Sequence, residues 1–216
     1  MSLSLVIDTS LNACTAALFD GDRPLAERVE AMARGHQERL GGMVAELFDA
    51  AGIRPRDIGR IGVTLGPGSF TGLRVGLSFA KGLGTGLGLK PRGIGTLEAL
   101  GHHPDLPGEA RLSVIDGGRG QIYVQAFDTK GEGMPLSLSA DSDFAPFQDI
   151  QVLTGPGAGL LAPHLPQARI FAQDWPAPAA LNALAQLPGH DDLTPLYMRD
   201  ADAKVSTRGV IGALSA

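Results

Sequence analysis

The sequence predicts an α/β fold of two similar lobes, on three observations. Short apolar runs alternate with amphipathic stretches along the 216 residues, which is the pattern of strands and helices taken in turn. Residues 6–20, VIDTSLNACTAALFD, return at an offset of 108 as residues 114–128, VIDGGRGQIYVQAFD. Val6, Ile7, Asp8, Phe19 and Asp20 thereby recur as Val114, Ile115, Asp116, Phe127 and Asp128. A Gly-Pro-Gly turn also closes an apolar run in each half, at Gly66–Gly68 and Gly155–Gly157. Residues 1–106 and 107–216 are the expected lobes.

Each element has its local reason. Leu3 to Asp8 is an apolar run suited to a buried strand. A turn through Thr9 and Asn12 leads to a second strand, Ala13 to Asp20. Gly21 and Asp22 turn into a third near Leu25 to Glu30. Leu40, Met43, Val44, Leu47 and Ala51 follow i, i+3, i+4, i+7 spacing, so Gly35 to Ala51 is an amphipathic helix, ended by Gly52 and Pro55. Ile61 to Leu65 is a buried strand. After the Gly66–Gly68 turn, Ser69 or Thr71 can cap a helix from Thr71 to Leu89. A strand near Arg92 to Ile94 and a helix from Thr96, its N-cap, to His102 finish the first half. The second half repeats the plan: a hairpin over 114–128, strands near Met134 to Leu138, Gln151 to Thr154 and Ala168 to Phe171, and helices near Ala158 to His164 and Pro178 to Leu187. The tail from Asp200 has little periodicity, so partial disorder is expected there.

The helix after Gly68 carries an unusual row. Gly72, Gly76, Ala80, Gly84 and Gly88 are spaced by four and share one face. Each Gly costs about 1 kcal/mol against Ala in a helix interior, so a close backbone approach is the reason to keep them. Either this helix packs tightly on its own sheet, or the bare face receives a partner chain. The second is the expectation here, and Gly76→Leu with Ala80→Leu would then block pairing.

Composition narrows the function classes. Hydrophobic residues make up 44% of the chain, enough for a core. No apolar run reaches the roughly 18 residues needed to span a bilayer, and the N-terminus lacks the basic region of a secretory leader. The single cysteine, Cys14, cannot form an internal disulfide and is expected as a small buried side chain in a reducing, cytoplasmic compartment. The net charge is −5, and residues 1–106 are balanced at 11 basic and 11 acidic side chains. Neither half has the basic footprint of a protein that grips nucleic acid unaided.

Two copies of a hairpin, strand, helix, strand, helix unit look like the actin-like ATPase (ASKHA) plan, with mixed central sheets and a cleft between lobes. More specific residues are Ile7-Asp8-Thr9-Ser10, Arg34-Gly35-His36, the nine-residue block Gly66-Pro67-Gly68-Ser69-Phe70-Thr71-Gly72-Leu73-Arg74, Gly95-Thr96-Leu97 and Pro195-x-Tyr197-x-Arg199. On these the chain resembles the TsaB/YeaZ family over nearly its whole length. The resemblance implies a non-catalytic accessory subunit for the threonylcarbamoyl modification of adenosine in tRNA. It implies pairing with a TsaD homologue that carries the metal and the transfer chemistry, recruitment of a TsaE ATPase, and access to tRNA through the complex. It also implies that the two early helices mediate pairing, with that homologue or with a second copy of the chain. The interface residues expected on this basis are His36, Leu40, Met43, Val44, Leu47, Gly72, Arg74, Gly76, Ala80 and Lys81; Arg74 and Lys81, seven apart, lie on roughly one side of their helix. Asp116-Gly117-Gly118-Arg119 departs from the family's Asp-Ala-Arg-Arg and looks more like a phosphate loop.

No catalytic, cofactor or metal residue is expected. The histidines, His36, His102, His103, His164 and His190, lack the spacing and carboxylate company of a metal site. Cys14 and Ser69 have no evident paired base. The rival reading is an autonomous small actin-like ATP-dependent phosphotransferase with Asp8, Thr9, Ser10 and Asp116 at the hairpin turns. Leu11 and Asn12 stand against it, since they replace the glycine that lets backbone approach phosphate, and the Gly66–Arg74 block lacks the Gly-Lys-Ser/Thr ending of a P-loop.

Overall fold

The computed structural model describes residues 3–128, 131–187 and 192–198. His190, Arg199 and the tail from Asp200 lie outside the described residues.

The first lobe is a five-stranded sheet. Strands β1 (Leu3–Asp8), β2 (Ala13–Asp20) and β3 (Arg23–Ala31) form an antiparallel meander. Strands β4 (Ile58–Gly66) and β5 (Arg92–Gly95) then add in parallel beside β1, giving the order β3-β2-β1-β4-β5. Helix α1 (His36–Ala51) packs on β2 and β3, and α2 (Phe70–Leu87) packs on β4 and β1. Their apolar stripes meet Leu5, Ile7, Ile61 and Val63 in one core, because the parallel crossover β4–α2–β5 returns the helix onto the sheet.

The second lobe repeats this topology. Strands β6 (Arg111–Gly118) and β7 (Gln121–Asp128) form the hairpin. The two-residue β8 (Gly131–Glu132) and β9 (Leu136–Ser139) both pair with β7. β10 (Val152–Thr154) and β11 (Arg169–Phe171) add in parallel beside β6. The helices here are reduced: a 3₁₀ turn at Ala145–Phe147 stands where α1 would be, and α4 (Ala158–Leu161) is a single turn.

The sequence repeat does not keep its register inside this repeated topology. Val6 packs with Leu181 and Leu184, whereas Val114 packs with Ala158 and Leu161. Ile115 instead meets Leu97 and Leu100. A slip of one residue in a strand reverses which face each side chain takes. The identities over Val6–Asp8 and Val114–Asp116 thus occupy opposite faces, while Phe19 meets Leu181 and Leu184, and Phe127 meets Gly101 and His102.

Two helices cross between lobes, which the halves 1–106 and 107–216 do not anticipate. Helix α3 (Thr96–Gly101) belongs to the first half but packs on β6 and β7. Helix α5 (Pro178–Gln186) belongs to the second half but covers the other face of β1, β4 and β5. Its Asn182 accepts from the Ser4 hydroxyl at 2.6 Å and donates to the Gly21 carbonyl at 2.9 Å. The Arg92 guanidinium donates to the Leu187 carbonyl at its end. Thr96 is not the N-cap of α3: Gly95 takes that place, its N–H bonded to the Glu98 carboxylate at 3.2 Å, and Thr96 is buried.

Candidate functional site: the two early helices and the cleft turn

The glycine row of α2 faces inward. A Cβ on Gly72 would sit 2.0 Å from the Thr9 carbonyl oxygen, and one on Gly76 would sit 2.5 Å from Thr9 Oγ1. Ala80 is fully buried in the first-lobe core, and Gly88 is the left-handed C-cap with φ of 69°. Gly72 and Gly76 let α2 lie against the β1–β2 turn, while Gly84 makes room for Leu89 and Pro91 beyond the helix end. Thr9 Oγ1 donates to the Gly72 carbonyl at 2.8 Å, and the Ser69 N–H donates to the Ser10 carbonyl at 2.7 Å. Ser69 also caps the helix, accepting from the Gly72 N–H at 3.2 Å.

Most of the expected interface residues are therefore corrected. Gly72, Gly76 and Ala80 are sealed against this chain's own sheet. Leu40, Met43, Val44 and Leu47 form the buried stripe of α1 on β2 and β3. His36 is buried too, its Nε2 at 3.2 Å from the Ala13 carbonyl. Periodicity found the apolar faces correctly, but those faces close the lobe rather than receive a partner. Arg74 and Lys81 remain exposed.

The outward side of the same helix pair carries a different set of small residues. Gly41, Gly42 and Ala45 on α1 and Ser78, Gly82 and Gly86 on α2 are exposed. Added Cβ atoms on Gly82 and Gly86 would meet nothing within 4 Å, and one on Gly41 would only touch the Phe79 ring at 3.9 Å. Val75, Phe79 and Leu83 lie half-buried among them. Spacing by four also joins Ser78, Gly82 and Gly86, a row the inward one overshadows in the sequence. At the N-terminal ends of α1 and α2 a groove of about 400 Å³ runs between Arg34, Gly35, Ser69, Thr71 and Val75, and the largely buried His36 and Gly72 border its floor.

The cleft between the lobes is small, about 250 Å³, and is lined by Ser10, Asn12, Ser69, Asp116 and Asp174 among others. Among its described lining residues there are two carboxylates and no Lys or Arg, a poor match for phosphate. Two glycines beside the cleft have packing reasons: a Cβ on Gly68 would lie 2.2 Å from the Ser10 carbonyl oxygen, and one on Gly117 would lie 2.7 Å from the Tyr123 ring. Gly117 thus makes room for a neighbouring aromatic, which is a packing reason for glycine in place of the family's Ala there. Among the described residues no group of three or more His, Cys, Asp or Glu side chains comes together.

Asp8 is a buried anchor rather than a turn residue. Its Oδ1 accepts from the Ser10 N–H at 2.9 Å, the Ser10 hydroxyl at 2.5 Å and the Thr64 hydroxyl at 2.7 Å. Its Oδ2 has no partner among the described residues. Burial pushes the carboxyl above its ordinary value of 3.8, against those bonds and the neighbouring His36, which pull it down. A raised folded-state value means the folded chain holds this proton more tightly. The contribution to stability is full below 3.8 and is lost as pH rises through the raised value. Glu30 and Glu46, both held low by the Arg39 guanidinium, work in the opposite direction, but at half-exposed and exposed positions where solvent screens such pairs. Relative to Asp8→Asn, wild type is expected to gain stability from neutral toward mildly acidic pH. Urea titrations at both pH values check this, and a difference that stays constant with pH would refute it. Cys14 is buried as expected, and burial pushes its thiol up to about 11, leaving it unreactive.

Comparison with known proteins agrees with this geometry. A family described as "TsaD: tRNA N6-adenosine threonylcarbamoyltransferase" matches residues 28–173. YeaZ from Pseudomonas aeruginosa superposes with a TM-score of 0.76 at 27% identity, over 86% of this chain and 91% of that one. The chain belongs to the TsaB/YeaZ family. The tRNA threonylcarbamoyladenosine biosynthesis protein TsaB of Bacillus subtilis is 28% identical over 96% of this chain and 79% of its own length. An uncharacterized Mycobacterium leprae protein, ML0378, is 33% identical along 100% of this chain, which spans 61% of that relative. The YeaZ match shares this α/β architecture, and here the two mixed sheets follow one strand order. Among the described residues no helix is long and apolar enough to cross a membrane.

Sequence reasoning alone did not single out Phe70 and Tyr197. Phe70 stands beside Arg74 at the start of α2, and Tyr197 arrives there from the far end of the chain. Both lie inside the motifs that carry the family resemblance, which is the signal that could have found them.

Proposed function

We propose that this chain is a non-catalytic accessory subunit in the threonylcarbamoyl modification of tRNA adenosine. It pairs with a TsaD-family homologue through the outward face of α1 and α2. The pair recruits a TsaE-like ATPase and reaches tRNA as a complex, and the free chain can use the same face to pair with its own copy. The observation that carries this reading is the exposed small-residue surface across both helices, at Gly41, Ala45, Ser78, Gly82 and Gly86. Small side chains let two backbones approach closely, and the half-buried Val75, Phe79 and Leu83 supply apolar area around them. The acidic cleft supports a role without nucleotide chemistry of its own, and a net charge of −5 supports contact with tRNA through partners.

Reconstitution tests it. The chain alone is expected to show no transferase activity and to co-elute with the TsaD homologue. Modified nucleoside should form from that pair with the TsaE ATPase present, and fall at least about tenfold when this chain is left out. Separate elution, or an equal rate without the chain, would refute the proposal.

A further inference from the structure

Three exposed large apolar side chains gather at the N-terminal end of α2: Phe70 at 52% exposure, Tyr197 at 43% and Leu196 at 39%. The C-terminal segment brings two of them. Leu193 is buried in the first-lobe core, and the Leu196 N–H donates to the Leu65 carbonyl at 2.8 Å, so the segment is pinned over the end of β4. Tyr197 then lies against Phe70, with ring centroids 5.1 Å apart.

Arg74 completes the cluster. Its guanidinium carbon lies 3.9 Å from the Phe70 centroid, and its Nε–H donates to the Tyr197 hydroxyl at 3.3 Å. The fork is therefore held over one ring and oriented by another, and the residue lies at an exposed position. Among the described residues no carboxylate forms an ion pair with it. A guanidinium fixed in this way has already lost much of the freedom that binding would remove, and its fork matches a carboxylate in bidentate geometry.

Resting on the pairing proposed above, we infer that Arg74 is a specificity anchor that takes an Asp or Glu side chain of the partner subunit at the edge of the α1–α2 face. Lys81 lies about 10 Å further along the same side of α2 by helical rise, so the matching strip of the partner is acidic. A phosphate backbone is the weaker fit. It needs several converging cations, whereas among the described residues this strip holds two, and the Phe70 face that a base would stack on is already covered by Arg74. Phe70 and Tyr197 act as positioning residues that hold the fork.

Calorimetry of the full chain with the purified TsaD-family homologue tests the anchor, at low and high salt, with melting curves run alongside. Arg74→Ala is expected to bind at least about tenfold more weakly, with a flatter salt dependence. Arg74→Lys should keep the salt dependence but lose affinity, because a point charge cannot reproduce the fork. Arg74→Gln, which keeps most of the stem, should match Arg74→Ala and so separates lost charge from lost packing. Wild-type affinity in Arg74→Ala beside failed binding in Gly82→Leu would overturn the anchor and leave the pairing face standing. Wild-type affinity in both would overturn both. Lower affinity of Arg74→Ala for tRNA, with partner affinity unchanged, would reassign the surface to RNA and overturn the anchor.

Discussion

Gly72→Ala is expected to destabilise the first lobe by on the order of 3 kcal/mol or more, although Ala is the better helix former. On propensity alone the change would stabilise α2 by about 1 kcal/mol. Against that, the new methyl would sit 2.0 Å from the Thr9 carbonyl oxygen, and the obstacle is backbone rather than a flexible side chain. Thr9 cannot retreat cheaply. Its hydroxyl is bonded to Gly72 itself, and Ser10 holds the Ser69 N–H on one side and the buried Asp8 carboxylate on the other. Relief needs α2 to lift from β1, which opens contacts around Ile7, Val63 and Leu77. Overpacking that forces backbone shifts typically costs about 1–3 kcal/mol and occasionally more, and a 2.0 Å approach to a backbone oxygen places this site at the upper end. Denaturant unfolding of the pure protein measures it, and a loss smaller than about 1 kcal/mol would show that the turn yields. The same geometry puts Gly76→Leu and Ala80→Leu in the core, so those changes report on folding and not on pairing.

Gly82→Leu separates the two sides of this helix. Nothing lies within 4 Å of the added Cβ, and the position is exposed. Leu should therefore leave the free chain folded and raise its melting temperature slightly, since a helix interior prefers Leu to Gly by up to about 1 kcal/mol. Pairing with the TsaD-family homologue should weaken about 10- to 100-fold, because a branched side chain would stand where close helix approach is proposed. The informative result is the opposite sign of the two effects. Unchanged affinity at a normal melting temperature would remove the outward face from the interface.

Much of the fold was legible because apolar runs and turn residues mark where strands begin and end. Strands β1 and β2 fall where their apolar runs begin and end, and Ser69 caps α2 as its side chain permits. The candidate site was harder for a specific reason. Helix α2 carries two rows of small residues, Gly72-Gly76-Ala80-Gly84 and Ser78-Gly82-Gly86, with apolar residues on both flanks. Periodicity shows that two such rows exist, and only the position of the β1–β2 turn decides which is inward. Asp8 illustrates the same limit, since a carboxylate beside a turn reads as exposed until Ser10 and Thr64 are seen to enclose it. The slipped repeat is a third instance. Identity at an offset of 108 registers sequence, whereas the bulge between Asp116 and Gly118 resets the hairpin.

The crossing of α5 onto the first sheet bears on how the chain is made. Val6, Ala17, Phe19 and Ile94 are covered by Leu181, Leu184 and Ala185, which leave the ribosome only after the whole second sheet has been synthesised. A nascent chain ending near residue 106 would display that apolar face to solvent. The first half is therefore expected to stay incomplete during translation, and a truncated product is expected to be a substrate for chaperones or proteases, which limited proteolysis of residues 1–106 would check.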